Sequence, residues 1–337
     1  FEETRNAIRN FIEAKHSHEI IFTKGTTDSI NLIANGYRNS LNSGDEVIIS
    51  ELEHHSNIVP WQMCCEISGS TLKVIPILDN GELDMGQFEN LLSENTKLVS
   101  IAHISNSLGT LNPVKEIIEK SHAVGAKVLI DGAQAASHVP LNMQNLDVDF
   151  YVFSAHKMYG PTGVGVLYGK EDSLNKLPPY QGGGEMIEEV RFEKTTYAAL
   201  PHKFEAGTPN ISGVIAFKNS IEFITDLGMK NIAKHEEKLL QYATSEILKI
   251  EGVKIYGTSD NKSGIISFNI DGLHPYDIGM ILDKLGVAIR TGHHCAQPVM
   301  SHYNIPGTAR ISVAVYNTLE EIDLCINSIK KAKMMLS

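Results

Sequence analysis

Asp149-Phe-Tyr-Val-Phe-Ser-Ala-His-Lys157-Met-Tyr-Gly-Pro-Thr-Gly-Val-Gly165 sets how the rest of the chain reads. The aromatic, apolar run from Phe150 to Phe153 predicts a short buried strand. Ser154, His156 and Lys157 follow at once, and then a turn rich in Gly and Pro. A lysine at the end of a buried strand is costly unless its charge is paired or chemically used. An amine held there beside small donors is suited to form a Schiff base with a carbonyl group. A surface lysine at a strand-to-loop junction explains this stretch equally well, so the decision falls to the rest of the chain.

The strand pattern continues on both sides. Residues 19–22 predict a strand leading into Thr23-Lys-Gly-Thr-Thr-Asp28, and residues 29–36 a helix ending on glycine. A strand, a Gly-Thr-Thr turn and a helix start make an anion site from free N–H groups and hydroxyls, although an ordinary capped helix uses the same residues. Residues 45–50, 72–76, 98–102 and 127–131 predict further short strands. Helical patterns separate them, such as residues 113–123 with Gly125 as cap, and a helical period also runs to about Ala14. This alternation predicts the α/β class, with a mostly parallel sheet covered on both faces. In such sheets ligands sit at the carboxyl ends of the strands. His54, Asn106, Asp131, Gln134 and Lys157 all fall just after predicted strands and are expected to converge on one edge.

Gly182-Gly-Gly184 reads as a flexible loop, and long helices are predicted from about residue 211 to 250. A strand over 264–270, a helix over 275–285, a strand over 309–315 and a last helix then predict a smaller α+β domain. The chain of 337 residues shows no internal repeat, no apolar run near the ~20 residues of a membrane span and no signal peptide. Its formal charge of -11 argues against a nucleic-acid or anionic-membrane partner. Cys64, Cys65, Cys295 and Cys325 have neither metal-ligand spacing nor a disulfide framework, which suits a reducing cytoplasm.

Single residues leave their roles open. Asp131 ends a strand of Val, Leu and Ile, where a carboxylate can face a protonated heterocycle nitrogen or cap the next helix. His54 can stack on a ring, carry protons or be polar surface, and Asn106 is as open. Arg290-Thr-Gly-His-His-Cys295 sets a cysteine in a Gly- and His-rich loop near an arginine, which is expected to expose it and favour the thiolate. Cys325 lies in an apolar helical run, and Cys64 and Cys65 are expected to be buried in a helix. His293 and His294 lack further ligands at metal spacing, so no metal is expected. Arg310 can hold a carboxylate in a forked contact or form a surface ion pair.

Seven motifs carry a resemblance that covers essentially the whole chain. They are Thr23-Lys-Gly-Thr-Thr-Asp-Ser-Ile-Asn31, Glu53-His-His-Ser-Asn-Ile-Val-Pro-Trp61, His103-Ile-Ser-Asn-Ser-Leu-Gly109, Asp131-Gly-Ala-Gln134, Ser154-Ala-His-Lys157, Phe204-Glu-Ala-Gly-Thr-Pro209 and Arg290-Thr-Gly-His-His-Cys295. In this order they resemble the pyridoxal-phosphate-dependent cysteine desulfurases of the class V aminotransferase family. The cysteine loop is similar to the SufS type, a group that includes selenocysteine lyases, rather than to the longer-looped NifS/IscS type.

The resemblance implies an aspartate aminotransferase-like fold, with a large cofactor domain over residues 1–226 and a small C-terminal domain over 227–337 carrying Cys295. It also implies a homodimer with sites at the subunit interface. Lys157 would anchor pyridoxal 5'-phosphate, Asp131 would face the pyridine nitrogen, Gln134 the phenolic oxygen, and His54 would stack on the ring. Thr26, Ser154, His156 and the partner subunit's Thr208 would bind the phosphate. Asn106 and Arg310 would hold the substrate carboxylate, with Arg290 orienting or polarising the site. The implied reaction converts L-cysteine to L-alanine, leaves a persulfide on Cys295 and passes the sulfur to a SufE- or SufU-like acceptor for iron–sulfur cluster assembly. L-Selenocysteine is the alternative substrate, and a catalytically silent scaffold the alternative of another class. The family carries residues ahead of Phe1, so this chain reads as a fragment or a trimmed chain.

Overall fold

The computed structural model describes residues 1–336. The short apolar runs form the strands β1 (Ile20–Thr23), β2 (Glu46–Ser50), β3 (Thr71–Ile75), β4 (Thr96–Ala102), β5 (Lys127–Asp131), β6 (Phe150–Ser154) and β7 (Gly165–Gly169). They make one sheet in the order β1-β7-β6-β5-β4-β2-β3. Neighbours from β3 through β6 run parallel, and β7 runs antiparallel to both β1 and β6. The helices of this half are α1 (Glu2–Phe11), α2 (Thr26–Tyr37), α3 (Val59–Ser68), α4 (Met85–Leu91), α5 (Val114–Ala123), α6 (Met143–Leu146) and α7 (Glu171–Lys176).

Alternation along the strands explains why both faces are covered. Val128, Ile130, Tyr151 and Phe153 enter one core cluster, while Leu129, Phe150 and Val152 enter the cluster on the other face. The chain continues through the hairpin β8 (Ile187–Val190) and β9 (Thr195–Tyr197), then α8 (Ile211–Leu227) and α9 (Met229–Ile247). The remaining elements are β10 (Val253–Tyr256), β11 (Ile265–Ile270), α10 (Pro275–Lys284), β12 (Arg290–Gly292), α11 (Gln297–His302), β13 (Thr308–Ser312) and α12 (Leu319–Leu336). An antiparallel sheet ordered β10-β11-β13-β12 packs with α9, α10 and α12 around a third core of residues between Leu239 and Ala332.

The fold departs from the sequence reading in several places: β10 and β12 were not predicted, and β13 ends at Ser312 rather than residue 315. β7 went unread because glycines bound it and the run before it reads as a turn. The expected flexible loop at Gly182–Gly184 is followed by an ordered hairpin, β8–β9. Helix α2 starts at Thr26, three residues before the expected Ser29. Gly165 permits that earlier start, since a Cβ there would lie 2.4 Å from the Gly25 Cα. The two backbones can therefore touch, which lays the first turn of α2 over the end of β6.

Asp149 ties this sheet together from a fully buried position. Its carboxylate accepts hydrogen bonds from Lys127 Nζ at 2.7 Å, the Val128 amide at 3.0 Å and Ser173 Oγ at 3.2 Å, and it lies 2.8 Å from His122 Nε2. Burial pushes its pKa up, but Lys127, His122 and the Val128 amide outweigh that and hold it below the usual range. Asp149→Ala should cost about 3 kcal/mol in urea unfolding at neutral pH, the scale for breaking a buried pair. A depressed folded-state pKa contributes stability that is complete above the unfolded value near ~4. The gap between wild type and variant should therefore narrow as pH falls below that value, and a gap that widens in acid would contradict the assignment.

Candidate active site

The carboxyl ends of the parallel strands open into a cavity of about 540 Å³. Thr26, His54, Asn106, Asp131, Gln134, Ser154, His156, Lys157, Arg290 and Arg310 all line it, as the sequence expected. Cys295 is not among the lining residues, but its Sγ lies 3.6 Å from Nη2 of Arg290, which is. Thr208 is exposed and lies outside the wall that this chain builds.

Lys157 ends the 3-10 turn that follows β6. Among the described residues its ammonium has no hydrogen-bond or ion-pair partner. Burial lowers its pKa, Arg310 and Arg290 lower it further, and Asp131 and Cys295 act the other way. The amine is thus biased toward the free base that carbonyl chemistry needs. Asp131 is 5 % exposed at the end of β5 and accepts the Ala133 amide at 2.9 Å through Oδ1. Burial raises its pKa, while Lys157 and the Ala133 amide lower it. Its Oδ2 has no hydrogen-bond partner among the described residues. Gly132 is required beside it, because a Cβ there would lie 2.0 Å from the Tyr151 ring.

His54 begins the turn after β2. Its Nδ1 accepts the Ser56 amide at 3.1 Å, which leaves the ring proton on Nε2. Burial first, then the charges of Lys157, His55 and Arg290, push its pKa down to about 4, so the ring is neutral at pH 7. Thr26 donates its amide to Ser154 Oγ at 2.8 Å, and the two hydroxyls are 2.7 Å apart. The start of α2 therefore presents hydroxyls and helix N–H groups on one wall, with His156 beside them.

The opposite wall is cationic. Antiparallel pairing sets Arg290 of β12 directly across from Arg310 of β13. Like charges in that position repel, and neither arginine has a carboxylate partner among the described residues. Arg310 donates Nη1 to Asn106 O at 2.6 Å, and its buried Nε has no acceptor. Burial, then Arg290, lowers the Arg310 pKa to about 10, so it remains charged at neutral pH. Such a pair is built for an anion with two oxygens. Asn106 differs from expectation in one respect: its Nδ2 already donates to His294 O at 2.6 Å.

Sequence reasoning gave no role to Glu53, which is fully buried directly before His54. It accepts Ser50 Oγ at 2.5 Å, Asn57 Nδ2 at 2.6 Å and the Ala102 amide at 3.1 Å, tying β2 to β4 beneath the cavity. Burial pushes its pKa up to about 8. A glutamate packed among Leu52, Ile58 and Trp61 was the available signal. Cys64, Cys65 and Cys325 are buried free thiols, as expected, so Cys295 is the only cysteine among the described residues with partial exposure. No group of three or more potential metal ligands occurs among the described residues.

The walls fit the pyridoxal phosphate that the sequence resemblance implies. An unpartnered amine, a carboxylate oxygen facing the cavity and a helix start with hydroxyls are the three groups that a carbonyl, a pyridinium and a phosphate require. Comparison with known proteins agrees. The aminotransferase class V family model matches residues 1–325. A cysteine desulfurase from Enterobacter sp. (strain 638) is 48% identical over 337 residues, 99% of this chain and 83% of the relative. The chain belongs to the class V aminotransferase family, among its cysteine desulfurases.

Solved structures give the same answer for the fold. The cysteine desulfurase CsdA from Escherichia coli superposes with a TM-score of 0.96 at 36% identity, covering 100% of this chain and 84% of that one. A cysteine desulfurase from Thermococcus onnurineus NA1 gives 0.95 at 39% identity, with 98% and 82% covered. In this family member the aspartate aminotransferase-like architecture places Lys157 at the end of β6 and the cysteine loop on the second sheet.

Proposed function

We propose that this enzyme takes the sulfur of L-cysteine onto Cys295 and releases L-alanine, with pyridoxal 5'-phosphate as cofactor. One observation carries the reading: the single unburied thiol among the described residues stands 3.6 Å from an arginine that lines the Lys157 cavity. The bound cofactor supplies an electron-poor conjugated system that accepts the electron pairs left when the Cα proton and the Cβ–S bond are lost.

The chain's own groups do the rest. Lys157 would hold the cofactor carbonyl, and its amine would carry the proton taken from the substrate Cα and the one returned for alanine. Asp131 would face the pyridine nitrogen, its charged form favoured by Lys157 and the Ala133 amide and opposed by burial. His54 would hold a neutral ring against the cofactor and Gln134 would meet its phenolic oxygen. Thr26, Ser154, His156 and the partner subunit's Thr208 hold the phosphate. Arg310 and Asn106 fix the substrate carboxylate, with Arg290 beside Cys295. The Cys295 thiolate attacks the substrate sulfur: the new S–S bond forms as the C–S bond breaks, giving a persulfide.

This reading extends to a SufS-type enzyme that works as a cytoplasmic homodimer and gives its sulfur to a SufE- or SufU-like acceptor for iron–sulfur cluster assembly. The short loop from Arg290 to Cys295 supports that branch. We divide the chain into a cofactor domain over residues 1–226 and a small domain over 227–337. Gly228 between α8 and α9 and the separate core of the second sheet support that division.

The test is to add cysteine and a reductant to the purified protein while following visible absorbance, alanine and sulfide. A yellow protein whose band shifts and which yields both products supports the reading. A chain that cannot be coloured with the cofactor sinks it, and a strong preference for selenocysteine would displace cysteine as substrate. Within the same assay, Arg310→Lys should raise KM about tenfold, through loss of the forked contact, with a smaller change in kcat.

A further inference from the structure

The backbone that carries Cys295 is held in an uncommon form. His294 and Cys295 are consecutive non-glycine residues with φ of 53° and 56°. L-residues enter that left-handed region at a cost, and such geometry persists only where its surroundings hold it. Asn106 Nδ2 donates to His294 O at 2.6 Å, and His294 Nε2 lies 2.8 Å from Thr308 Oγ1. The Ala296 amide closes the turn on His293 O at 2.8 Å, and two further contacts come from one residue. The His55 amide donates to Cys295 O at 2.8 Å, and the Gln297 amide donates to His55 Nε2 at 3.2 Å.

His55 therefore grips the chain at two points just after the sulfur-bearing carbon, at the Cys295 carbonyl and at the start of α11. It is joined by one peptide bond to His54, whose side chain lines the cavity, so a single turn fixes both groups. We propose that His55 is a positioning residue that clamps the Cys295 loop and sets where the thiol stands relative to the Lys157 cavity. The clamp rests on the proposed function only in taking Cys295 as the sulfur acceptor. A neutral ring is needed, because Nε2 must offer a lone pair to the Gln297 amide. Burial, then neighbouring His293, holds the His55 pKa below its ordinary value, in keeping with that need.

The backbone bond survives any substitution except proline, so the ring contact is the part to test. His55→Phe keeps a flat ring without the acceptor, whereas His55→Gln places an amide oxygen where Nε2 stands. In hydrogen exchange on the whole chain, His55→Phe should speed exchange about tenfold in residues 290–300 and leave the main sheet unchanged. His55→Gln should restore the slow rate. With cofactor and cysteine, single-turnover persulfide formation on Cys295 should slow about 100-fold in His55→Phe, the scale of a misplacement near 1 Å. The absorbance response to cysteine should keep its rate, and His55→Gln should recover most of the sulfur transfer.

If the phenylalanine variant does not melt cooperatively, His55→Ala takes its place. Unchanged exchange in the variant, or a glutamine variant as fast-exchanging as phenylalanine, overturns the clamp. Altered exchange with no sulfur on wild-type Cys295 supports the clamp and counts against the proposed function instead.

Discussion

Lys157→Ala should lower kcat/KM for cysteine by at least about 10⁴-fold, because in the proposed reaction one side chain would serve as both covalent anchor and proton carrier. The amine has no partner among the described residues, and burial, Arg310 and Arg290 all favour its uncharged form. Among the described residues no other lysine lines the cavity to replace it. Borohydride reduction followed by peptide mass spectrometry should find the cofactor on Lys157 in wild type and on no residue in the variant. The fold should survive, since the exchanged side chain reaches into open space and anchors no hydrogen-bond network. A cofactor adduct that persists on another lysine would remove Lys157 from its role.

Cys295→Ala should separate the two halves of the reaction. Cofactor colour and its response to cysteine should remain, because Asp131, His54 and the start of α2 are untouched. Sulfide release should fall by about 10³-fold or more, the scale for losing a nucleophile. Mass spectrometry after a single turnover should find one added sulfur on Cys295 of wild type and none on the variant. Cys64 and Cys325 cannot substitute, since burial pushes both thiols up to about 11. A variant that still releases sulfide at the wild-type rate would show that free thiol in solution, rather than Cys295, takes the sulfur.

The two experiments fail differently. Loss of both colour and sulfur transfer in Cys295→Ala would mean that the cysteine loop supports the cofactor cavity itself. That outcome has a structural route, because Asn106 donates to His294 O in the loop and accepts from Arg310 in the cavity wall.

Much of this site was legible in the chain. Hydrophobic runs of four or five residues separated by helical patterns specify a parallel sheet, and a sheet of that kind gathers its strand ends on one edge. That rule alone brought His54, Asn106, Asp131, Gln134 and Lys157 together before any contact was seen. The order of the motifs then supplied the family. Local signals also set the burial of Cys64, Cys65 and Cys325.

What the tertiary structure decided is everything that depends on pairing between distant segments. Arg290 and Arg310 are separated by the cysteine loop and α11, and only the β12–β13 register sets them face to face. Asn106 reads as a free polar side chain until its amide is found on His294, 188 residues away. Strand β7 is hidden because glycine, the residue that permits Gly25 and Gly165 to touch, is also the residue that marks turns. Glu53 and His55 sit inside a motif whose letters say nothing of direction, and packing alone turns one under the sheet and the other onto the Cys295 loop. Periodicity is a local property that a sequence carries openly, whereas register and side-chain partners follow from burial, which exists only once the chain has folded.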